Sequence, residues 1–309
     1  MKISIVVPVY NRERLVVRTL DSIKNQTYRP LQLILVDNGS KDNTMDVLKR
    51  FATDNNCADF EVKVVSEPRQ GATLARNKGA REAEGEWLMF FDSDDVMDEL
   101  LLEKYAAQIT ENIDVINVPV DISLNGKIWK PYFPSNNFLA NHILHSSFST
   151  QRYIMRKSIF EKAGGWNENL RGWNDWELGV RVLLLNPKVA QIKSAPLVHV
   201  LSHSDSITGN DFYSRHEWWE SAVDEAQKEI ESSALCGKEK LLKYLEVRRI
   251  TLAALYKKEG HEDLAILLRD KVLQRIIQDK FMSCFMKILY RYISYGGRKA
   301  TVLVKMLVR

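Results

Sequence analysis

The chain has 309 residues, 45% hydrophobic and 27% charged, enough to bury a full core and to make about two domains. A net charge of +4 is too mild to argue for nucleic acid, and no stretch approaches the roughly 20 apolar residues that cross a bilayer. The apolar run after Lys2 meets Pro8 too soon for a signal peptide. Cys57, Cys236 and Cys284 are odd in number and far apart, which excludes a disulfide framework or metal-ligand spacing and favours a reducing cytoplasm.

In chain order, Ile3 to Val7 is a nearly continuous β-branched run, as a strand buried on both faces should be. Pro8 ends it, and Val9-Tyr10-Asn11-Arg12 turns into a helix running to about Asn25. A second strand, Leu31 to Val36, closes on Asp37-Asn38-Gly39-Ser40, and Asp42 caps a helix to about Asp54. Glu61 to Ser66 is a third strand, Gly71 to Ala83 a third helix and Trp87 to Phe91 a fourth strand. This alternation predicts right-handed crossovers and a mostly parallel, doubly wound α/β sheet.

After Asp95 the rhythm changes. Leu100 to Ile109 reads as helix and Asp114 to Val120 as strand, with Asn125-Gly126 turning a hairpin into Lys127 to Tyr132. Residues 133–150, rich in Asn, Ser and His, read as a long substrate-facing loop. Arg152 to Met155 follows as strand, then a short helix capped by Ser158 and ended by Gly164-Gly165. Asp175 to Leu185 is helical, and Val189 to Val200 holds one or two more strands. From Asp211 Gly and Pro nearly vanish and the apolar spacing is helical, with breaks near Gly237, Gly260 and Gly296-Gly297. The division therefore falls near residue 210, between an α/β domain over 1–210 and a helical region over 211–309.

The chemistry concentrates in Phe90-Phe91-Asp92-Ser93-Asp94-Asp95, where a buried strand delivers three acids to its C-terminal edge. Ligands bind at that edge of an open α/β sheet. Three carboxylates crowded there repel one another unless compensated, and a divalent cation is the simplest partner. Neither G-x-x-x-x-G-K-[ST] nor a G-x-G-x-x-G after the first strand is present, which disfavours P-loop kinases and Rossmann dehydrogenases.

Val7-Pro8-Val9-Tyr10-Asn11, Val36-Asp37-Asn38-Gly39-Ser40, Ala75-Arg76-Asn77-Lys78-Gly79 and Phe91-Asp92-Ser93-Asp94-Asp95 occur in order over some 90 residues. Together they resemble the family 2 glycosyltransferases of GT-A fold, and the likeness extends less sharply to about residue 206. The resemblance implies an inverting enzyme with a nucleotide-sugar donor, most simply UDP-linked, and one Mn²⁺ or Mg²⁺ ion. It assigns Pro8, Tyr10, Asn11, Asp37, Arg76, Asp92 and Ser93 to the donor. Asp37 would take the N3–H of uracil, Arg76 would lie near base or diphosphate, Asp92 near ribose and Asp94 on the metal.

The resemblance also covers Gly164-Gly165-Trp166-Asn167-Glu168 and Gly172-Trp173-Asn174-Asp175-Trp176-Glu177. There it makes Asp175 the base that deprotonates the acceptor hydroxyl, with Glu177 ranked second. Asn174 stands where the family more usually has Glu. Trp166, Trp173 and Trp176 are expected to stack on an acceptor sugar. His203 resembles a residue that joins the metal or touches phosphate, although Leu201-Ser202 stands where the family often carries Arg. His199 reads as a satisfied strand histidine.

Residues 280–309 hold seven Lys or Arg and no Asp or Glu around a broad apolar face. Such a segment lies on anionic lipid or packs on the rest of the chain, and both readings stay open. The setting implied is surface-polysaccharide synthesis on a saccharide or lipid-linked acceptor, in the cytoplasm or peripherally at the inner membrane face. The competing expectations are a nucleotide-sugar-binding module without turnover and a membrane-surface scaffold.

Overall fold

The structure is a computed structural model that describes residues 1–124, 126–201, 212–297 and 300–305. Its first part runs β1 (Ile3–Val9), α1 (Val16–Lys24), β2 (Leu31–Asp37), α2 (Thr44–Asn55), β3 (Phe60–Ser66), α3 (Ala72–Glu82) and β4 (Trp87–Phe90). Next come β5 (Val96–Met97), α4 (Leu101–Ala106), β6 (Val115–Asn117), β7 (Val120–Leu124), β8 (Lys127–Trp129) and α5 (Phe138–His145). Then follow β9 (Tyr153–Arg156), α6 (Lys157–Lys162), α7 (Asn174–Leu184), β10 (Val189–Gln191) and β11 (Val198–Leu201). The remaining helices are α8 (His216–Ser232), α9 (Lys238–Lys258), α10 (Glu262–Arg275), α11 (Lys280–Ser294) and α12 (Ala300–Lys305).

These elements gather into two compact units. The first comprises residues 1–133, 148–171 and 185–205; the second comprises 134–147, 172–184 and 206–309. The chain thus crosses between units near residue 205 and also at four earlier points.

The first unit is built on a seven-stranded sheet of order β10-β6-β9-β4-β1-β2-β3. β1 is parallel to β2 and β4, β2 to β3, and β6 to β10, while β9 runs antiparallel to both β4 and β6. Side chains alternate faces along a strand, so the continuous apolar runs fill both sides. Ile3, Ile5, Val7, Leu33, Leu35, Trp87 and Met89 pack with Leu20 of α1, Leu48 of α2 and Tyr105 of α4. The opposite face holds Val6 and Val36 against Gly79 of α3. Helices on both faces make the sheet doubly wound, as its sequence period predicts.

A Cβ on Gly79 would overlap Val6 Cγ1 and sit 3.0 Å from Val36 Cγ2. Gly79→Ala gains about 1 kcal/mol of helix propensity, but overpacking the helix–sheet seam costs about 1–3 kcal/mol. The balance should be destabilising, seen as a lower urea midpoint at unchanged m-value; a rise in midpoint would show that α3 is free to move outward.

Local expectations fared unevenly. The β7–β8 hairpin forms with Leu124 opposite Lys127, but the strand expected over Asp114 to Val120 is broken in two. Pro119 has no N–H for a ladder, and the chain leaves the first sheet after Asn117 to enter a four-stranded sheet of order β5-β11-β7-β8. Ser158 is no cap: α6 already starts at Lys157 with Arg156 at the N-cap position. Gly164 and Gly165 do end α6, both at positive φ, their N–H groups returning to the carbonyls of Glu161 and Phe160.

The second unit is helical. Its core joins Trp219 of α8, Val247, Ile250 and Tyr256 of α9, Leu268 and Val272 of α10, and Met286 and Leu289 of α11. Part of the stretch expected as a substrate-facing loop is α5, which belongs here. His142 of α5 is fully buried; its Nε2 faces the Trp176 carbonyl at 2.8 Å and its own carbonyl accepts the Trp176 indole N–H at 3.1 Å. A ring nitrogen facing a carbonyl must donate, so His142 carries its proton on Nε2.

Candidate active site

Parallel pairing brings three strand ends to one sheet edge. Val9 lies in register with Asp37, and Phe91, just past β4, donates its N–H to the Val6 carbonyl at 3.0 Å. The loops after β1, β2 and β4 therefore open on the same side, where an α/β sheet binds ligands.

Asn11 and Asn38 tie these loops together. Asn11 accepts the Lys41 N–H at 2.8 Å, and its own N–H reaches Ser40 Oγ at 3.0 Å. Asn11 holds a φ of 51°, a conformation Asn tolerates better than most residues. The Asn38 amide donates to the carbonyls of Glu67 and Arg69 and accepts the Gly71 N–H, each at 2.8 Å. Pro8 is half-buried, and Tyr10 is exposed at the rim.

Asp37 is 4% exposed. One oxygen accepts the N–H groups of Gly39 and Ser40 at 3.2 and 3.3 Å, while the other is buried without a partner. A buried acceptor left open costs free energy until a donor fills it. That makes Asp37 a ready acceptor for an incoming N–H.

Arg76, on α3, is 6% exposed and places Nη2 2.6 Å from Asp92 Oδ1. Its guanidinium lies 4.5 Å above the Trp166 ring, and its buried Nε has no partner. The second Asp92 oxygen takes a 2.7 Å bond from Gln151 Nε2, and the same amide also bonds Asp95. Gln151 is 7% exposed. It lies in a single helical turn before β9, and no sequence pattern marked it.

The three acids of the strand end occupy different environments. The Asp94 carboxylate keeps 23% side-chain exposure, with Arg12 3.8 Å away, while Arg18 donates to the Asp94 carbonyl at 2.6 Å. Ser93 is buried. Asp95 is 2% exposed and accepts the Leu201 N–H at 2.9 Å. Burial, reinforced by Asp92 and Asp94, pushes its carboxyl well above the ordinary range.

The raised Asp95 carboxyl has a stability consequence with a definite sign. The folded protein binds this proton more tightly than the unfolded chain, so the associated stability is full below the unfolded value near ~3.9 and is lost as pH rises through the folded value. In buffer free of divalent ions, the wild-type Tm should fall relative to Asp95→Asn as pH rises above about 4, the ordinary carboxylate value. Parallel curves would mean that Asp95 carries no such penalty.

In the second unit Asp175 stands in the first turn of α7, half-buried, with Oδ1 accepting the Trp176 N–H at 2.8 Å. Arg248 of α9 stacks 4.1 Å from the Trp173 ring and 4.3 Å from the Trp176 ring. It also donates to the Ile143 carbonyl at 2.9 Å and Ser146 Oγ at 2.8 Å. Burial pushes this guanidinium down to about 9 against the pull of Asp175. Glu177, the second-ranked base, is 1% exposed and clamped by Arg181 at 2.6 and 2.7 Å. An acid so engaged is not available to an acceptor.

Two expected acceptor residues need correcting. Trp166 is 2% exposed, edge-on to Phe90 at 5.0 Å and covered by Arg76. Trp176 is 1% exposed beneath Arg248, with its indole N–H spent on His142. Neither offers a ring face to a sugar, because packing against a cation and the core uses both. Trp173 is only partly buried. His199 is the structural histidine expected, its Nδ1 2.8 Å from Asp121 Oδ1. His203 lies outside the described residues. Among the described residues no group of three or more His, Cys, Asp or Glu is placed to hold a metal ion.

A mostly parallel sheet carrying acids on its C-terminal edge, with one antiparallel strand inserted beside β4, is a GT-A-like fold. The model of glycosyl transferase family 2 matches residues 4–164, and the chain belongs to that family. An uncharacterized glycosyltransferase of Haemophilus influenzae is 30% identical over 211 residues, spanning 65% of this chain and 69% of that protein. Glycosyltransferase GlyG of Streptococcus pneumoniae is 29% identical over 168 residues, 54% of this chain and 52% of GlyG. The chain thus spans about half the length of GlyG. Among solved structures, S. aureus TarS 1-349 in complex with UDP-GlcNAc matches with a TM-score of 0.74 at 19% identity, covering 97% of this chain and 89% of that one. The mannosyltransferase PcManGT from Pyrobaculum calidifontis, in complex with GDP-Man and Mn²⁺, matches at 0.60 and 15% identity, covering 99% and 86%. These two likenesses speak to fold alone.

Proposed function

We propose that this chain is an inverting glycosyltransferase that moves a sugar from a nucleotide-diphospho-sugar, most simply a UDP-sugar, to a hydroxyl of a saccharide or lipid-linked acceptor. The observation that carries the reading is the sheet edge shared by Asp37, with one buried oxygen open, and, two strands across, the Arg76–Asp92–Gln151 cluster and Asp94. Two proteins of like fold were solved with nucleotide-sugars, TarS with UDP-GlcNAc and PcManGT with GDP-Man, which is in keeping with a nucleotide-sugar donor without choosing its base.

Each residue has a task that its surroundings suit. The open Asp37 oxygen accepts the base N3–H, which a uracil offers. Arg76 offsets diphosphate charge, its planar fork matched to phosphate oxygens. Asp92, held on both oxygens, is oriented to accept from ribose hydroxyls. Pro8, Tyr10, Asn11 and Ser93 shape the donor's walls.

The donor set also fits a divalent ion. Mg²⁺ and Mn²⁺ are commonly held by one or two carboxylates plus substrate phosphates, and the partly exposed Asp94 is the carboxylate that would hold one. Such an ion supplies Lewis-acid neutralisation of the leaving diphosphate. His203 is proposed beside it on the family resemblance alone.

Asp175 takes the proton from the acceptor hydroxyl as that oxygen bonds to the anomeric carbon. The bond from this carbon to the phosphate oxygen breaks on the opposite face, and the electron pair leaves with the nucleoside diphosphate. One displacement inverts the anomeric centre. The partly buried Trp173 is the remaining candidate to face an acceptor sugar. We place the reaction in surface-polysaccharide assembly at the cytoplasmic membrane face. Release of nucleoside diphosphate from a panel of nucleotide-sugars tests the reading.

A further inference from the structure

The helix α11 carries more apolar surface than its own unit uses. Met282, Met286, Leu289 and Ile293 face inward and are buried. A surface helix normally turns polar side chains outward from such a stripe. Here Phe281 is 71% exposed, Ile288 57%, Tyr292 40% and, just past the helix, Tyr295 83%. At about 100° per residue these four share one narrow arc of the helix, separate from the buried stripe.

The flank of that arc is basic. Lys280, Lys287 and Arg291 are exposed along one side of it, and α11 contains no acid. The acid that precedes it in the chain, Asp279, caps the helix by accepting the Met282 N–H at 3.0 Å and is neutralised by Lys243 at 2.6 Å. An apolar stripe edged by uncompensated cations complements a surface that is apolar within and anionic at its rim. A bilayer containing anionic lipid has that chemistry; the acyl boundary takes the rings and the headgroups take the bases.

We propose that the outward face of α11 is an interfacial binding site for anionic lipid, with Phe281, Ile288, Tyr292 and Tyr295 inserting and Lys280, Lys287 and Arg291 meeting phosphate headgroups. Helices long and apolar enough to cross a membrane are absent among the described residues, so this contact lies on the bilayer rather than through it. It deepens the membrane setting proposed above but is independent of the transfer chemistry, because lipid binding is read without turnover.

The test is co-sedimentation of the full chain with vesicles of phosphatidylcholine alone or mixed equally with phosphatidylglycerol. The protein should pellet with the mixed vesicles and be released by salt. K280Q/K287Q/R291Q should lower partitioning into mixed vesicles by on the order of a hundredfold, at about fivefold per base. F281E/I288E should abolish it. Both variants alter exposed positions only, and circular dichroism checks that each is folded; if one is not, the other still decides.

Equal binding to neutral and mixed vesicles, no binding to either, or binding unchanged in the folded variants overturns the proposal. The solution mass is measured alongside. A wild-type dimer that F281E/I288E dissociates, with no vesicle binding, would instead make the stripe an interface between two copies of the chain and also overturn it.

Discussion

Asp175→Asn should retain nucleotide affinity and lower kcat for transfer by about 10²–10⁴, the usual worth of a positioned general base. The substitution is nearly isosteric, and an Asn oxygen can still accept the Trp176 N–H that Asp175 accepts now at 2.8 Å. The start of α7 is thereby kept; what is lost is the capacity to take a proton, together with the negative charge that offsets the buried Arg248. Glu177 cannot stand in, because both its oxygens are held by Arg181. Nucleotide affinity by calorimetry and turnover by diphosphate release separate the two effects. Unchanged turnover would remove Asp175 from the base role, and a parallel loss of affinity would mean that it acts on the donor.

Asp94→Ala should be as damaging but on a different variable. If Asp94 holds the divalent ion, the substitution lowers turnover by about 10³ and abolishes its dependence on Mn²⁺ concentration, since Lewis-acid stabilisation of a leaving phosphate is worth several kcal/mol. The fold should survive, because the Arg18 bond goes to the Asp94 main-chain carbonyl, which the substitution keeps, and the Arg12 pairing with its carboxylate is long, at 3.8 Å. The informative measurement is turnover against Mn²⁺ for wild type and variant. Coincident curves would move the ion elsewhere and leave Asp94 as a charge partner of Arg12.

The contrast between the two variants reflects what was legible from sequence. β1, β2 and β4 are nearly continuous apolar runs, with Asp37 at the end of β2 and Asp92 just past β4, so their burial and the chemistry at those ends could be read directly; Pro8, expected to end β1, instead pairs with Val36 and the strand runs on to Val9. The Arg76–Asp92 pair joins residues 16 apart in the chain, and its two members could be named although their ion pair could not. Gln151 was invisible, because a lone Gln before a short strand has no period or motif, and only the antiparallel insertion of β9 beside β4 carries it to Asp92. Arg248 lay hidden in the same way, an ordinary helix arginine until α9 stacks it on Trp173 and Trp176.

The misreadings share a cause. Residues 138–145 have helical spacing, but they sit between Asn137 and Ser146, both at positive φ, and the flanking polar run looked like loop. Trp166, Trp173 and Trp176 fall within twelve residues of one another, and Arg248 stacks on Trp173 and Trp176 alike; only the depth of packing, which sequence does not carry, separates the half-buried Trp173 from the two buried rings. The apolar surface of α11 was legible as a whole. That it splits into a buried stripe and an exposed one depends on where α9 and α10 pack, which is tertiary information.

The central claim, that this chain opens a nucleotide-diphospho-sugar at its anomeric carbon with inversion, is most directly tested on the donor alone, since water can replace an unknown acceptor. The purified protein with Mn²⁺ is incubated with α-linked UDP-, GDP- and dTDP-sugars, and the anomeric protons are followed by NMR. The account predicts slow, protein-dependent release of nucleoside diphosphate from a UDP-sugar, with the free sugar appearing first as its β-anomer. Release of the α-anomer, or no release and no binding with any nucleotide-sugar, would contradict it.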